Sequence, residues 1–221
     1  MADVLNQAFP PVNPNVISTY NYTDIAEGTG VTALNAFAVN ESGGISYKLS
    51  GNAVAGTPNS SNTGGTLVNP VIFALSAFNL PKTIKGTAII DGSFAVRSFG
   101  GTAPSGSSYI KFTIEHYDGT TATDIGNITT QTITVSGTTT TYSKFCVSIN
   151  LTEKHFKRGE ILRLKAEQTV TNTNPGYGLV AGSLAFDPLN GDVTDYAGTY
   201  SAATYHTNLK LYIPFKLDDV A

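Results

Sequence analysis

Tryptophan is absent from this chain of 221 residues, methionine and cysteine occur once each, histidine occurs three times, and charged side chains make up 13% of the whole. That charged share is about half of what an ordinary soluble domain carries. Each scarcity removes a class of function. A lone cysteine, Cys146, cannot build an internal disulfide framework, and its place in an alternating stretch beside Phe145 and Val147 makes it a small packing residue, with no base at hand to activate it. His116, His155 and His206 stand apart, with neither an HExxH pattern nor a His–Cys spacing suited to zinc. Ser93, Ser98 and Ser183 sit in no G-x-S-x-G elbow. The acidic run holding Asp187, Asp192 and Asp195 lacks the bidentate Glu and the spacing of an EF-hand loop, so no metal or other cofactor is expected. Paired carboxylates for glycoside cleavage would have to be assembled in space from only 16 acidic residues.

Positive charge is also in short supply. A net charge of −3 and a pI near 5.5 give no basic footprint for DNA or RNA. The one local cluster, Lys154, His155, Lys157 and Arg158, is flanked by Glu153 and Glu160 and reads as a solvated turn. No apolar run approaches membrane-spanning length, the longest covering 71–78. The opening MADVLNQAFPPVNPN has neither the basic region nor the apolar run of a secretory signal, so synthesis in the cytoplasm and no membrane partner are expected. Five Asn-x-Ser/Thr triplets, at Asn21, Asn40, Asn59, Asn127 and Asn150, follow from composition alone and carry no glycosylation argument.

What is abundant is uncharged and polar: 30 Thr, 17 Ser and 17 Asn. Threonine's branched Cβ suits a pleated strand, whereas Asn, Ser and Gly supply turns, so composition points to an all-β chain. Periodicity agrees. Phe145, Val147, Ile149 and Leu151 alternate with Cys146, Ser148 and Asn150; beyond 157–160, Leu162, Leu164 and Ala166 alternate with Arg163, Lys165 and Glu167. A period of two means a strand with one buried and one wet face. The pair reads as a hairpin of an antiparallel sandwich, with Arg163, Lys165 and Glu167 on a solvent-exposed face.

Residues 1–16 hold Pro10, Pro11 and Pro14, which suits an extended N-terminal arm, either a frayed terminus or a strap with Val4, Leu5, Phe9 and Val12 as anchors on a neighbouring subunit. Residues 17–217 read as a single β-sandwich domain. Strands are expected at about 17–25, 31–39, 45–50 and 67–78; the stretch 71–79 reads as a fully buried strand or a short helix, and its length and the bracketing Pro70 and Pro81 favour the strand. Asp91-Gly92 suggests a tight turn or a bulge, and Asp118-Gly119 and Ser136-Gly137 suggest turns. In 109–117, Ile110, Phe112, Ile114 and His116 share the apolar face, which makes His116 a hydrogen-bonded core residue. Pro214 interrupts the last alternating stretch, so that strand lies at a sheet edge or breaks its pairing there. Long loops are expected at 51–65 and 171–204.

Tyr177, Tyr196, Tyr200 and Tyr205 all fall in the second loop-rich stretch. Exposed rings there suit a protein interface or, as the alternative, a carbohydrate- or receptor-binding module that stacks host glycans, although the absence of Trp weakens the latter. The segment Phe156-Lys157-Arg158-Gly159-Glu160-Ile161-Leu162-Arg163-Leu164 resembles the F-x-x-G-(D/E)-x-L-x-L turn and strand of jelly-roll sandwiches, over roughly residues 81–217. Together with the Thr- and Asn-rich composition and the proline-containing arm, it resembles virion structural proteins of tailed phages and similar viruses: capsid, decoration, minor capsid or fibre-type subunits. That resemblance implies a virion location, homo-oligomeric or lattice contacts with copies of itself and other virion proteins, and no catalysis. The arm residues Phe9 and Val12 and the four loop tyrosines are the candidate contact residues.

Overall fold

The computed structural model describes residues 29–41, 44–52, 54, 59–64, 70–101, 104–174, 178–186, 193–195, 198–200 and 208–216. Every regular element among them is a strand, as the Thr-rich, helix-poor composition requires. In chain order they are β1 (Thr29–Glu41), β2 (Gly44–Ser50), β3 (Asn59–Gly64), β4 (Pro70–Ala74), β5 (Lys82–Phe99), β6 (Ser105–Tyr117) and β7 (Ala122–Thr129). There follow β8 (Ile133–Ser136), β9 (Thr140–Phe156), β10 (Ile161–Asn172), β11 (Leu179–Phe186), β12 (Val193–Asp195), β13 (Gly198–Tyr200) and β14 (Lys210–Lys216). Among the described residues no helix is long and apolar enough to cross a membrane.

Twelve strands join one open, mixed sheet in the order β3-β11-β5-β14-β1-β2-β4-β10-β6-β7, with β8 on β6 and β9 on β5; β12 and β13 pair with each other. All the pairings are antiparallel except β2 with β4, which meet in parallel at the single pair Lys48 and Ala74. That narrow seam divides the sheet into two halves, and their apolar faces meet. Phe112 of β6 lies 5.3 Å from Phe145 of β9 between ring centroids, and Phe73 of β4 lies 5.0 Å from Phe186 of β11. Leu34, Phe94, Ile110, Ile114, Leu164 and Leu211 complete a continuous core between them.

The two alternating stretches around residues 157–160 are strands β9 and β10, but they do not pair. β9 runs along β5 from Lys82↔Phe156 to Arg97↔Thr140, while β10 lies between β4 and β6. The turn carries the chain from one half of the sheet to the other instead of closing a hairpin. Alternation reports which face of a strand is buried, and two strands that face each other across a core show the same alternation as two side by side.

Asp91-Gly92 is likewise no turn or bulge, since β5 passes through it unbroken. Glycine stands there for space: a Cβ on Gly92 would lie 2.7 Å from Phe145 Cζ and 3.0 Å from Leu209 Cδ1. The register shifts in β5 fall elsewhere, at Ile84/Gly86 on its β9 side and opposite Tyr212/Phe215 on its β14 side. β14 is flanked by β1 and β5, so Pro214 interrupts a central strand's pairing instead of marking a sheet edge. The expected strand at 71–79 is shorter and only half buried: β4 alternates over Pro70–Ala74 and the chain then leaves the ladder.

Both expected loops contain strands. β3 lies within 51–65 and pairs with β11, which itself lies within 171–204 together with β12 and β13. The sequence of β3, NSSNTG, holds no apolar residue, so an edge strand held by backbone pairing leaves no alternation to read. The turns at Asp118-Gly119 and Ser136-Gly137 are present, with Gly119 and Gly137 at φ 103° and 67°. The arm 1–16 and the expected strand at 17–25 lie outside the described residues.

Candidate interaction site

Between β4 and β5 the chain holds residues 75–81 off the sheet, because Pro81 has no N–H to offer a ladder and β5 begins only at Lys82. The segment is tied instead to the turn that crosses the core. Leu75 N–H donates to Leu162 O (2.9 Å), Phe78 N–H to Glu160 O (3.0 Å), and Gly159 N–H to Phe78 O (2.9 Å). Phe78 also meets Phe156 edge to face at 5.1 Å between centroids.

This arrangement leaves one end of the core open as a groove of about 420 Å³. It is lined by Leu75, Phe78 and Leu80 of that segment, by Thr32 and Leu34 of β1 and Ile213 and Phe215 of β14, and by Ile84 and Leu162. Leu80 is 67% exposed. Lys82 is the one ionisable lining residue among the described residues, and its ammonium sits over two rings, 5.8 Å from the centroid of Phe78 and 5.1 Å from that of Phe215. A concave, largely apolar surface with a single cation at its rim suits an apolar, weakly acidic partner.

The groove wall is braced by His116 and Glu160. His116, on the apolar face of β6, is 6% exposed, and its Nε2 lies 2.7 Å from Glu160 Oε2. A carboxylate only accepts, so Nε2 carries the donated hydrogen. The same oxygen accepts the Lys157 N–H at 2.7 Å. These two bonds hold the Glu160 carboxyl below the ordinary carboxylate range, the His116 bond contributing most. His116 is the expected hydrogen-bonded core residue, and its partner fixes the crossing turn.

On the outward face of β6 and β10, the charges are not freely solvated as their alternation suggested. Lys165 and Glu167 form an ion pair at 2.8 Å with side chains 27% and 23% exposed. The Arg163 guanidinium stacks 3.2 Å from the Tyr117 ring centroid. Between Arg163 on β10 and Asp124 on β7 lies Glu115, 8% exposed, with Oε2 buried and unbonded among the described residues. Burial raises the Glu115 pKa above its ordinary value, while Lys165 and Arg163 oppose the shift. With few charges in the chain, those on this face turn toward one another and cover each other's stems.

Elsewhere, His155 Nδ1 lies 3.2 Å from Thr83 Oγ1 at the end of β9, and Cys146 is exposed on β9 opposite Asp91. Among the described residues no three His, Cys, Asp or Glu side chains gather as a metal site. Phe9, Val12, Tyr177, Tyr196 and Tyr205 lie outside the described residues; Tyr200 is placed by its backbone alone, in β13 opposite Val193. The groove was missed from sequence. Its signal was the leucine and phenylalanine content of 75–80, held between Pro70 and Pro81 and too long for one half-buried strand.

No family model matches the chain, and no curated protein does. Among solved structures, the chain is similar to an alpha-amino acid ester hydrolase, with 11% identity and a TM-score of 0.49 over 84% of this chain and 36% of that one. It is also similar to a CocE/NonD family hydrolase from Staphylococcus aureus, with 10% identity and a TM-score of 0.46 over 86% and 37%. A third similar structure is that of infectious bursal disease virus, Gt strain, with 13% identity and a TM-score of 0.28 over 95% and 40%. The chain spans 36% to 40% of the length of these three proteins.

Proposed function

We propose that this chain is a structural subunit of a virus particle, a capsid, decoration or minor capsid protein, that works through contacts between copies and with other virion proteins, without catalysis. In this reading the doubled-over sheet is a jelly-roll-like sandwich and the location is the virion. One observation carries it: an apolar groove left open on a framework poor in charge, with Leu80 67% exposed in its wall. On the outward side of the half that holds β1, β5 and β14, Val31 is 68% and Ile89 40% exposed, close to the half-buried Tyr212 and Pro214 that pair with their strands. Apolar surface of this kind, framed by Thr, Ser and Asn, can be buried against another subunit with little desolvation of ions.

Electron microscopy of the purified chain, with light scattering across a concentration series, tests the proposal. Closed symmetric oligomers or ordered arrays are the expected result. A strict monomer that binds a defined sugar on a glycan array, and loses it when Tyr177, Tyr196 and Tyr200 are each changed to Ala, would replace it with the carbohydrate-binding alternative.

A further inference from the structure

We propose that the groove beside residues 75–80 receives the segment Val4 to Val12 of a second copy of this chain. The docking rests on the homo-oligomeric reading above and gives it a partner surface. Three observations point to this occupant. First, the described chain starts beside the groove: a Cβ on Gly30 would lie 3.0 Å from Phe215 Cζ, and Phe215 and Thr32 both line the groove. Secondly, the chemistry matches. Val4, Leu5, Phe9 and Val12 supply apolar side chains, and Asp3 is the sole charged residue before Asp24, against a groove whose sole ionisable lining residue among the described ones is Lys82. Pro10 and Pro11 pre-extend the segment, which lowers the entropy lost on docking.

Thirdly, the spacing lets the segment reach a second copy. The residues between Val12 and Thr29 can span up to about 50 Å when extended. A spacer of that reach extends to the groove of an abutting subunit of this size, and docking there follows from the homo-oligomeric reading.

The test uses the full chain with Cys146→Ser to remove the exposed native thiol. Copies carrying Leu80→Cys are mixed with copies carrying Phe9→Cys and oxidised, and circular dichroism confirms that both are folded. A disulfide-linked pair containing one of each variant is the expected product. Leu80→Asp, at a residue 67% exposed, should leave the melting temperature unchanged and weaken self-association at least tenfold. If the mixture gives no cross-link while a chain carrying both Leu80→Cys and Phe9→Cys closes a disulfide within itself, the segment occupies its own groove and the proposal falls. It also falls if native mass spectrometry finds a small apolar molecule in the groove of the purified chain. An oligomer that gives no cross-link and tolerates Leu80→Asp would overturn the docking while sparing the homo-oligomeric reading; a monomer at every concentration would overturn both.

Discussion

Replacing Glu160 by Ala removes the acceptor shared by His116 Nε2 and the Lys157 amide, both at 2.7 Å. The imidazole cannot turn to water without moving, because it is 6% exposed and its ring meets Phe156 edge to face at 4.8 Å. Leaving a buried donor unpaired costs about 1 to 3 kcal/mol, and the exposed Lys157 amide adds little because water replaces its partner. With a urea slope of about 2 kcal/mol per molar, a loss near 2 kcal/mol lowers the unfolding midpoint by about 1 M. Gln at the same position keeps an acceptor and should lose about half as much. Glu160 O accepts the Phe78 N–H, so hydrogen exchange at Phe78 and Gly159 should quicken in the Ala variant more than in the core of β5. The Glu160 carboxyl is held low in the folded chain, so its contribution is present above the ordinary carboxylate pKa and is lost as pH falls through the lowered folded value. The Gln variant should lack that acid-limb loss. A midpoint shift below about 0.3 M for Glu160→Ala, with unchanged exchange at Phe78, would refute the bracing role.

Gly92→Ala should destabilise by about 1 to 3 kcal/mol through overpacking against Phe145 and Leu209, read by chemical denaturation; an unchanged midpoint would mean the close approach is not fixed. Asp118 accepts the amides of Thr121 and Thr120 and the Thr120 hydroxyl, which lowers its pKa to about 2. Its stabilisation is therefore full above the ordinary carboxylate value and disappears as pH falls toward about 2, and carboxyl NMR titration should place its midpoint there. Glu115 has the opposite sign. Its raised pKa means that ionisation opposes folding at neutral pH, so Glu115→Gln should be neutral or stabilising at pH 7, and any gain should shrink below the raised pKa; a large loss at pH 7 would show that its attraction to Lys165 and Arg163 outweighs burial.

The buried faces of β6, β9, β10 and β14 were legible because alternation of apolar and polar residues encodes which side of a strand meets the core. Partnership was not legible. β9 and β10 look like a hairpin in sequence yet pair with different neighbours, since the same alternation serves strands side by side or face to face. β3 could not be read because none of Asn59–Gly64 is apolar and its place is set by backbone bonds to β11. Gly92 resembled a turn because sequence cannot separate a glycine needed for φ from one needed for space. The groove escaped for a related reason: apolar residues at 75–80 suggest burial, and only the placement of Pro81 and the crossing turn leaves Leu80 outside.

Sedimentation velocity on a dilution series of the full chain, beside the same chain lacking residues 1–16, tests self-association through the groove most directly. The account predicts a concentration-dependent oligomer for the full chain and a dissociation constant at least tenfold weaker without the segment. Identical sedimentation of the two, whether both monomeric or both assembled, would contradict it.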